Sequence, residues 1–193
     1  MDIEYDNVLK AIDSIHGDGP LPSMELLFKP TTGTANGEYS LLTGNINIFK
    51  IGKVPLTLAH EIGHWLDHKG FDGLMKKKAT TGIKSFASHS DMFSDFVRVA
   101  KKSRKIQEIE SSPGLHADSI DYLTSNHEMF ARAYAQYIAK KSGNPKMIQE
   151  LKYRQGSPTV GSRYPDQWDD DDFEPIAKEI ENIFLWIGWQ KIK

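Results

Sequence analysis

The sequence contains no cysteine. That absence excludes disulfides, thiolate metal sites and cysteine nucleophiles together, so any metal must be held by His, Asp or Glu. It also fits an intracellular protein. No apolar run approaches the ~20 residues that span a bilayer, so no membrane partner is expected. The first residues do not read as a secretory leader either. The opening MDIEYDNVLKAIDS is acidic and has no apolar centre, and a cytoplasmic location is expected. An excess of one charge is also lacking: 24 Lys and Arg face 26 Asp and Glu, a net −2. No strong field therefore points to nucleic acid. No internal repeat is visible. At 193 residues, 39% hydrophobic and 26% charged, the chain suits one domain over 1–193 with a core and a polar exterior.

What is present centres on Leu58–His68, LAHEIGHWLDH. It holds His60-Glu61-Ile62-Gly63-His64, the H-E-x-x-H pattern. Residues four apart share one face of an α-helix, so both imidazoles can bind one zinc ion. Glu61 is rotated about 100° from His60. It can reach a water at the metal without binding the metal, which suits a general base. With 7 His and 11 Glu in the chain, chance gives this pattern at roughly 1 in 70. The surrounding residues must therefore decide. Pro55 suits a first helical turn. Leu58, Ile62, Trp65 and Leu66 make an apolar stripe at helical spacing. Lys69 and Gly70 read as a helix end. The competing reading is a buried helix with two core histidines.

Around this helix the pattern predicts an α+β fold, mostly helical, with a small sheet or hairpin against it. Residues 3–15 read as a helix stopped at Gly17-Asp18-Gly19-Pro20. Met24–Phe28 reads as a strand. Gly37–Lys50 reads as a hairpin, with Tyr39 and Leu41 on one arm, Ile46 and Ile48 on the other, and Thr43-Gly44-Asn45 between. An edge strand there could take an extended peptide by strand addition, or could simply cover the helix. Residues 71–118 look like an insertion that could form a lid. It holds a solvated lysine run, Lys76–Lys78, and one helix over Ser90–Ile109, broken at Pro113-Gly114. A second informative helix, capped at Thr124, Ser125 or Asn126, runs to about Lys141. Ala131, Ala133 and Ala135 thin it for close approach to another helix. A short helix follows at 145–155. The last runs from Phe173 to about Ile187, behind Asp169–Asp172 as complements to its dipole.

A catalytic zinc needs a third protein ligand. Glu128, in the first turn of the second informative helix, is the leading candidate, with His127 as its neighbour and alternative. His116 and His89 fall in expected loops. His68 lies eight residues from His60, about 12 Å along the same helix, and cannot share its ion. It reads as a partner of the helix C-terminus. Asp67 reads as an acid supporting an imidazole or a neighbouring Arg.

HEIGHWLDH followed by NHEMFARAYAQYI resembles the zincin-like metallopeptidase domains of phage and mobile-element proteins, including those within large polyvalent proteins. Those domains pair a HELGH-like helix with an E-M-F-A-R-A-type helix. The resemblance covers roughly residues 37–141, and YPDQWDDDDFEPIAKEIENIF is similar to their C-terminal ends. It implies that His60, His64 and Glu128 hold one Zn2+, as in the gluzincin branch, with Glu61 as base. It also implies a peptide or protein substrate, and a host cytoplasm or virion location if the chain is phage-encoded. The chain departs from the thermolysin-like branch in its longer gap between His64 and Glu128. It also lacks that branch's Asp downstream of the Glu. Arg132 stands one turn on instead, to pair with Asp67 or buttress Glu128. Tyr122 and His116 are candidate oxyanion donors; Tyr134 and Tyr137 do not share the Glu128 face. The expected function is zinc-dependent peptide hydrolysis. The alternatives are a catalytically silent binding or assembly module, and hydrolysis of a non-peptide amide.

Overall fold

The computed structural model describes residues 3–17, 24–30, 36–49, 55–71, 85–156 and 166–189. The lysine run at 76–78 and the hairpin end at Lys50 lie outside them. In chain order the described elements are α1 (Ile3–His16), β1 (Leu26–Phe28), β2 (Gly37–Tyr39), β3 (Ile46–Ile48), α2 (Pro55–Trp65), α3 (Phe86–His89), α4 (Ser94–Lys101), α5 (Arg104–Glu110), α6 (Ala117–Thr124), α7 (Asn126–Ser142), α8 (Pro145–Gln155) and α9 (Asp170–Trp186). The architecture is α+β and mostly helical, with a small mixed sheet. No described helix is long and apolar enough to cross a membrane.

The expected hairpin forms. β2 and β3 pair antiparallel, Glu38 opposite Asn47, and the Asn47 amide donates to Glu38 Oε1 at 3.0 Å. β1 joins the other side of β3 in parallel, with Leu26 opposite Ile46. β3 is therefore central and β2 is an edge. The sheet lies against α2 through β2 and β3, with Ile46 and Ile48 fully buried.

α7 is the axis of the fold. From Glu128 to Ala139 every residue is buried, and α1, α2, α3, α8 and α9 all pack on it. Its closest neighbour is α2. A Cβ added at Gly63 would stand 2.8 Å from Ala131 Cα and 3.2 Å from the Ala131 carbonyl. Glycine on one helix and alanine on the other bring the two backbones into contact, as the small residues of α7 imply. Gly143, at φ 66°, ends α7 in the left-handed conformation that glycine adopts without strain.

The single helix expected over 90–109 is three pieces. A short 3₁₀ turn, Asp91–Phe93, leads into α4, and the chain breaks at Lys102-Ser103 before α5. Ser103 is extended, its hydroxyl donates to the Ala100 carbonyl at 2.6 Å, and it caps α5. A serine that bonds its own backbone competes with helix continuation. α6 is an element the periodicity did not predict. Within the expected insertion, the described residues are core rather than cover: Ala87, Phe93, Phe96, Ala100, Ile106 and Ile109 are buried in the same apolar cluster as α2 and α7.

The Asp run does more than face a helix dipole. Both Asp172 carboxylate oxygens accept from backbone N–H groups of Arg104 and Lys105 at 2.9 Å, capping α5 from outside. Asp169 pairs with Arg104 at 2.9 Å and Asp170 with Lys140 at 2.8 Å.

Replacing Gly63 with Ala gains about 1 kcal/mol of helix propensity but meets the Ala131 backbone, where overpacking costs about 1–3 kcal/mol. Urea unfolding should show net destabilisation, whereas Gly114→Ala, with nothing within 4 Å of the new methyl, should be near neutral.

His16 generates a second prediction. Its Nδ1 faces the Trp189 carbonyl at 3.0 Å and its Nε2 faces the Tyr134 hydroxyl at 3.1 Å. Burial pushes its pKa down to about 4, against a smaller lift from the Trp189 carbonyl. The unfolded chain takes the proton first, so stability falls as pH drops from about 6.5 towards 4. The loss is about 3 kcal/mol at most. Unfolding midpoints of His16→Gln should depend less on pH across that window.

Candidate metal centre

α2 presents His60, Glu61 and His64 because three things fix its position. Pro55 starts it, Gly63 seats it on α7, and its first turn is capped from α8. The Leu56 N–H donates to Glu150 Oε2 at 2.8 Å, and Arg154 Nη2 donates to Thr57 Oγ1 at 3.3 Å. Nothing local in the sequence announces these caps, because Glu150 and Arg154 lie far along the chain from α2.

The helical spacing of the two histidines brings both Nε2 atoms to one point, 3.1 Å apart, with the rings at 89°. α7 enters with Glu128 in its first turn. Its Oε2 lies 3.2 Å from His64 Nε2 and 3.6 Å from His60 Nε2. Among the described residues, these three form the one His, Asp and Glu group able to hold a metal ion. Glu128 Oε2 is buried and makes no hydrogen bond, which suits an oxygen reserved for a cation.

The electrostatics fit the same use. Burial pushes His60 down to about 3, against the pull of Glu128, so its ring is neutral and free to ligate. Burial also opposes charge on Glu128, but His60, His64 and Arg132 hold its carboxyl well below the usual range. Burial opposes charge on His64 too, yet the Glu128 carboxylate 3.2 Å away leaves its pKa raised. Burial lifts Glu61 to about 7, with Glu128 and Glu38 adding to the rise and His64 and the Tyr39 N–H opposing it. A carboxyl near neutrality is poised to exchange protons at working pH. Glu61 sits under β2: a Cβ on Gly37 would come within 3.2 Å of its Cγ.

Other expected residues divide. Tyr122, on α6, lies near the Glu128 carboxylate. Burial, then that nearby charge, push its pKa up, so its phenol stays protonated. The His127 ring stands 5.9 Å from that of His64 and 6.5 Å from that of Tyr122, at the rim and outside the metal group. His116 is elsewhere, highly exposed and capping α6. His89 Nδ1 turns to the Ser85 carbonyl at 3.1 Å. Tyr134 is taken up by His16, and Tyr137 is buried beside Phe184.

Asp67 supports neither an imidazole nor an Arg by hydrogen bond. It is fully buried, and its Oδ1 accepts the Ala87 N–H at 2.7 Å, tying the end of the α2 segment to α3. His68 Nε2 lies 3.9 Å from its other oxygen, and the His68 ring stacks on Tyr39 at 5.8 Å. These residues belong to a π-helical turn, Leu66–Gly70, that extends α2.

Metal titration tests the assembly. Glu128→Gln keeps the shape and removes the charge. Its metal affinity should fall by more than about 100-fold, beyond what outer-sphere partners cost. His127→Ala and His116→Ala should each change it by less than about tenfold. Calorimetry with the metal-free protein reads all three.

No protein-family model, no curated protein and no solved structure matches this chain.

Proposed function

We propose that the chain is a zinc-dependent metallopeptidase of the zincin-like, gluzincin type. The observation that carries this reading is the convergence of two imidazole Nε2 atoms and one carboxylate oxygen at separations of 3.1, 3.2 and 3.6 Å, with Glu61 on the same helix. Zinc binds nitrogen and oxygen at about 2.0–2.1 Å in a tetrahedron, which puts ligand atoms about 3.3 Å apart. Two nitrogens and one oxygen, with no thiolate, also suit zinc among the common metals. Three ligands leave a corner of the tetrahedron for chemistry.

Zinc at this position supplies Lewis acidity that polarises a carbonyl and acidifies water. Glu61 then takes the proton of the attacking water and returns it to the departing amine. Its neutral-range pKa in the metal-free site and its seat beneath β2 suit that exchange. Tyr122 can offer an O–H to a developing oxyanion, and its raised pKa keeps the proton on the phenol. The edge position of β2 beside α2 favours a peptide over other amides, because an extended chain can pair with such an edge.

Glu61→Gln should retain zinc by elemental analysis while hydrolysis of an unfolded protein substrate falls by about 10²–10⁴-fold. Turnover at the parental rate in that variant removes Glu61 from the base role. A zinc chelator should abolish activity in the parent, and added zinc should restore it. A parent that is inactive on peptides while holding zinc would defeat the peptidase reading.

A further inference from the structure

Beside the three metal-facing atoms lies a group that the mechanism does not use. Arg132 is fully buried, one turn beyond Glu128 on α7. A buried guanidinium next to a cation site is electrostatically unfavourable for the cation, so its presence calls for a reason. Its geometry supplies one. The two oxygens of Glu128 are divided: Oε2 faces the histidines, and Oε1 lies 3.7 Å from Arg132 Nε.

Arg132 is itself held on its remaining sides. Nη1 donates to the Asp166 carbonyl and Nη2 to the Leu123 carbonyl, at the end of α6. Its flat face stands 4.8 Å from the Trp168 ring. Trp168 is pinned in turn. Its indole N–H donates to Ser103 Oγ at 2.9 Å, and its carbonyl accepts from Gln136 Nε2 at 2.8 Å and Gln155 Nε2 at 2.6 Å. The Nε–H edge is the one left over, a buried donor with no hydrogen bond, and Glu128 Oε1 lies 3.7 Å from it. A lysine could not do this: it lacks the planar fork that engages two carbonyls while presenting a third N–H to a carboxylate.

We propose that Arg132 is a positioning residue that takes up Glu128 Oε1 and so confines this ligand to a single oxygen on the metal. The proposal rests on the reading of Glu128 as the third ligand. A carboxylate free to rotate can offer both oxygens to a cation, and the second would occupy the position that water or substrate needs. The Asp166–Trp168 segment thereby becomes part of the metal site without touching the metal, because it sets where the guanidinium stands.

The test uses the full chain loaded with cobalt(II), whose visible absorption reports coordination number. The parent should show the intense bands of four-coordination. Arg132→Gln and Arg132→Lys should lose band intensity as the second Glu128 oxygen joins, with metal affinity lowered about 10–100-fold. A folded Arg132→Gln with the parental spectrum overturns the proposal. So does restoration of that spectrum by lysine, which would assign the effect to charge alone. If neither variant folds, a crystal structure of the zinc-loaded parent decides. One Glu128 oxygen on zinc with the other on Arg132 supports the proposal, and both oxygens on zinc overturn it. A zinc ion bound without Glu128 would instead defeat the reading of the third ligand, a separate and recognisable outcome.

Discussion

The contact between Gly63 and Ala131 is the constraint from which the rest follows. Glu128 lies three residues, about 4.5 Å of rise, from Ala131, and His60 and His64 flank Gly63. The carboxylate meets the imidazoles only because the two backbones touch at this crossing. A side chain of ordinary size at either position would separate the helices and pull Oε2 away from the ring nitrogens. The glycine inside the metal-binding motif thus has a packing task that the motif itself does not express.

That closeness creates an electrostatic problem, which the surrounding chain resolves. Glu61, Glu128, Asp67 and Arg132 are all buried within a short distance of two histidines. Buried charge is tolerated only when paired and hydrogen-bonded. One Asp67 oxygen is taken by the Ala87 N–H of α3, and Arg132 is held by two backbone carbonyls, the Trp168 face and the nearby Glu128 charge. Burial opposes the Glu128 charge, and the imidazoles and guanidinium around it hold its carboxyl low. Each solution recruits a segment distant in sequence. This explains why the helices α3 to α5 and the segment before α9 pack into the core around α2 and α7.

The parts of this organisation that were legible in the sequence are those written in local periodicity. His60, Glu61 and His64 share a helix because their spacing says so, and the alanines of α7 announce a close neighbour. The hairpin follows from alternation around Thr43-Gly44-Asn45. Glu128 could be chosen as a candidate because, with no cysteine in the chain, it is the acid that opens the second informative helix. What stayed hidden depends on pairs distant in sequence. The capping of α2 by Glu150, the capping of α5 by Asp172 and the seat of Arg132 carry no local signature. The break at Ser103 was hidden for a different reason. The apolar period of Phe93, Phe96 and Val97 runs on into Ile106 and Ile109, and only the serine's bond to its own backbone marks the interruption.

Asp67 stands outside the candidate metal group. It lies three residues beyond His64, close enough along the helix to offer a fourth protein ligand. A metal closed by four protein ligands is structural, whereas three leave a position for chemistry. Here the regular helix gives way to the wider turn at Leu66–Gly70, and the Asp67 oxygen is committed to the Ala87 N–H at 2.7 Å. The ligand-bearing group then contains His60, His64 and Glu128 without it. The acid one turn beyond His64 anchors α3, and the one that joins the histidines comes from a helix some sixty residues later. Local sequence places the imidazoles; tertiary packing selects which carboxylate completes the set and which is turned away.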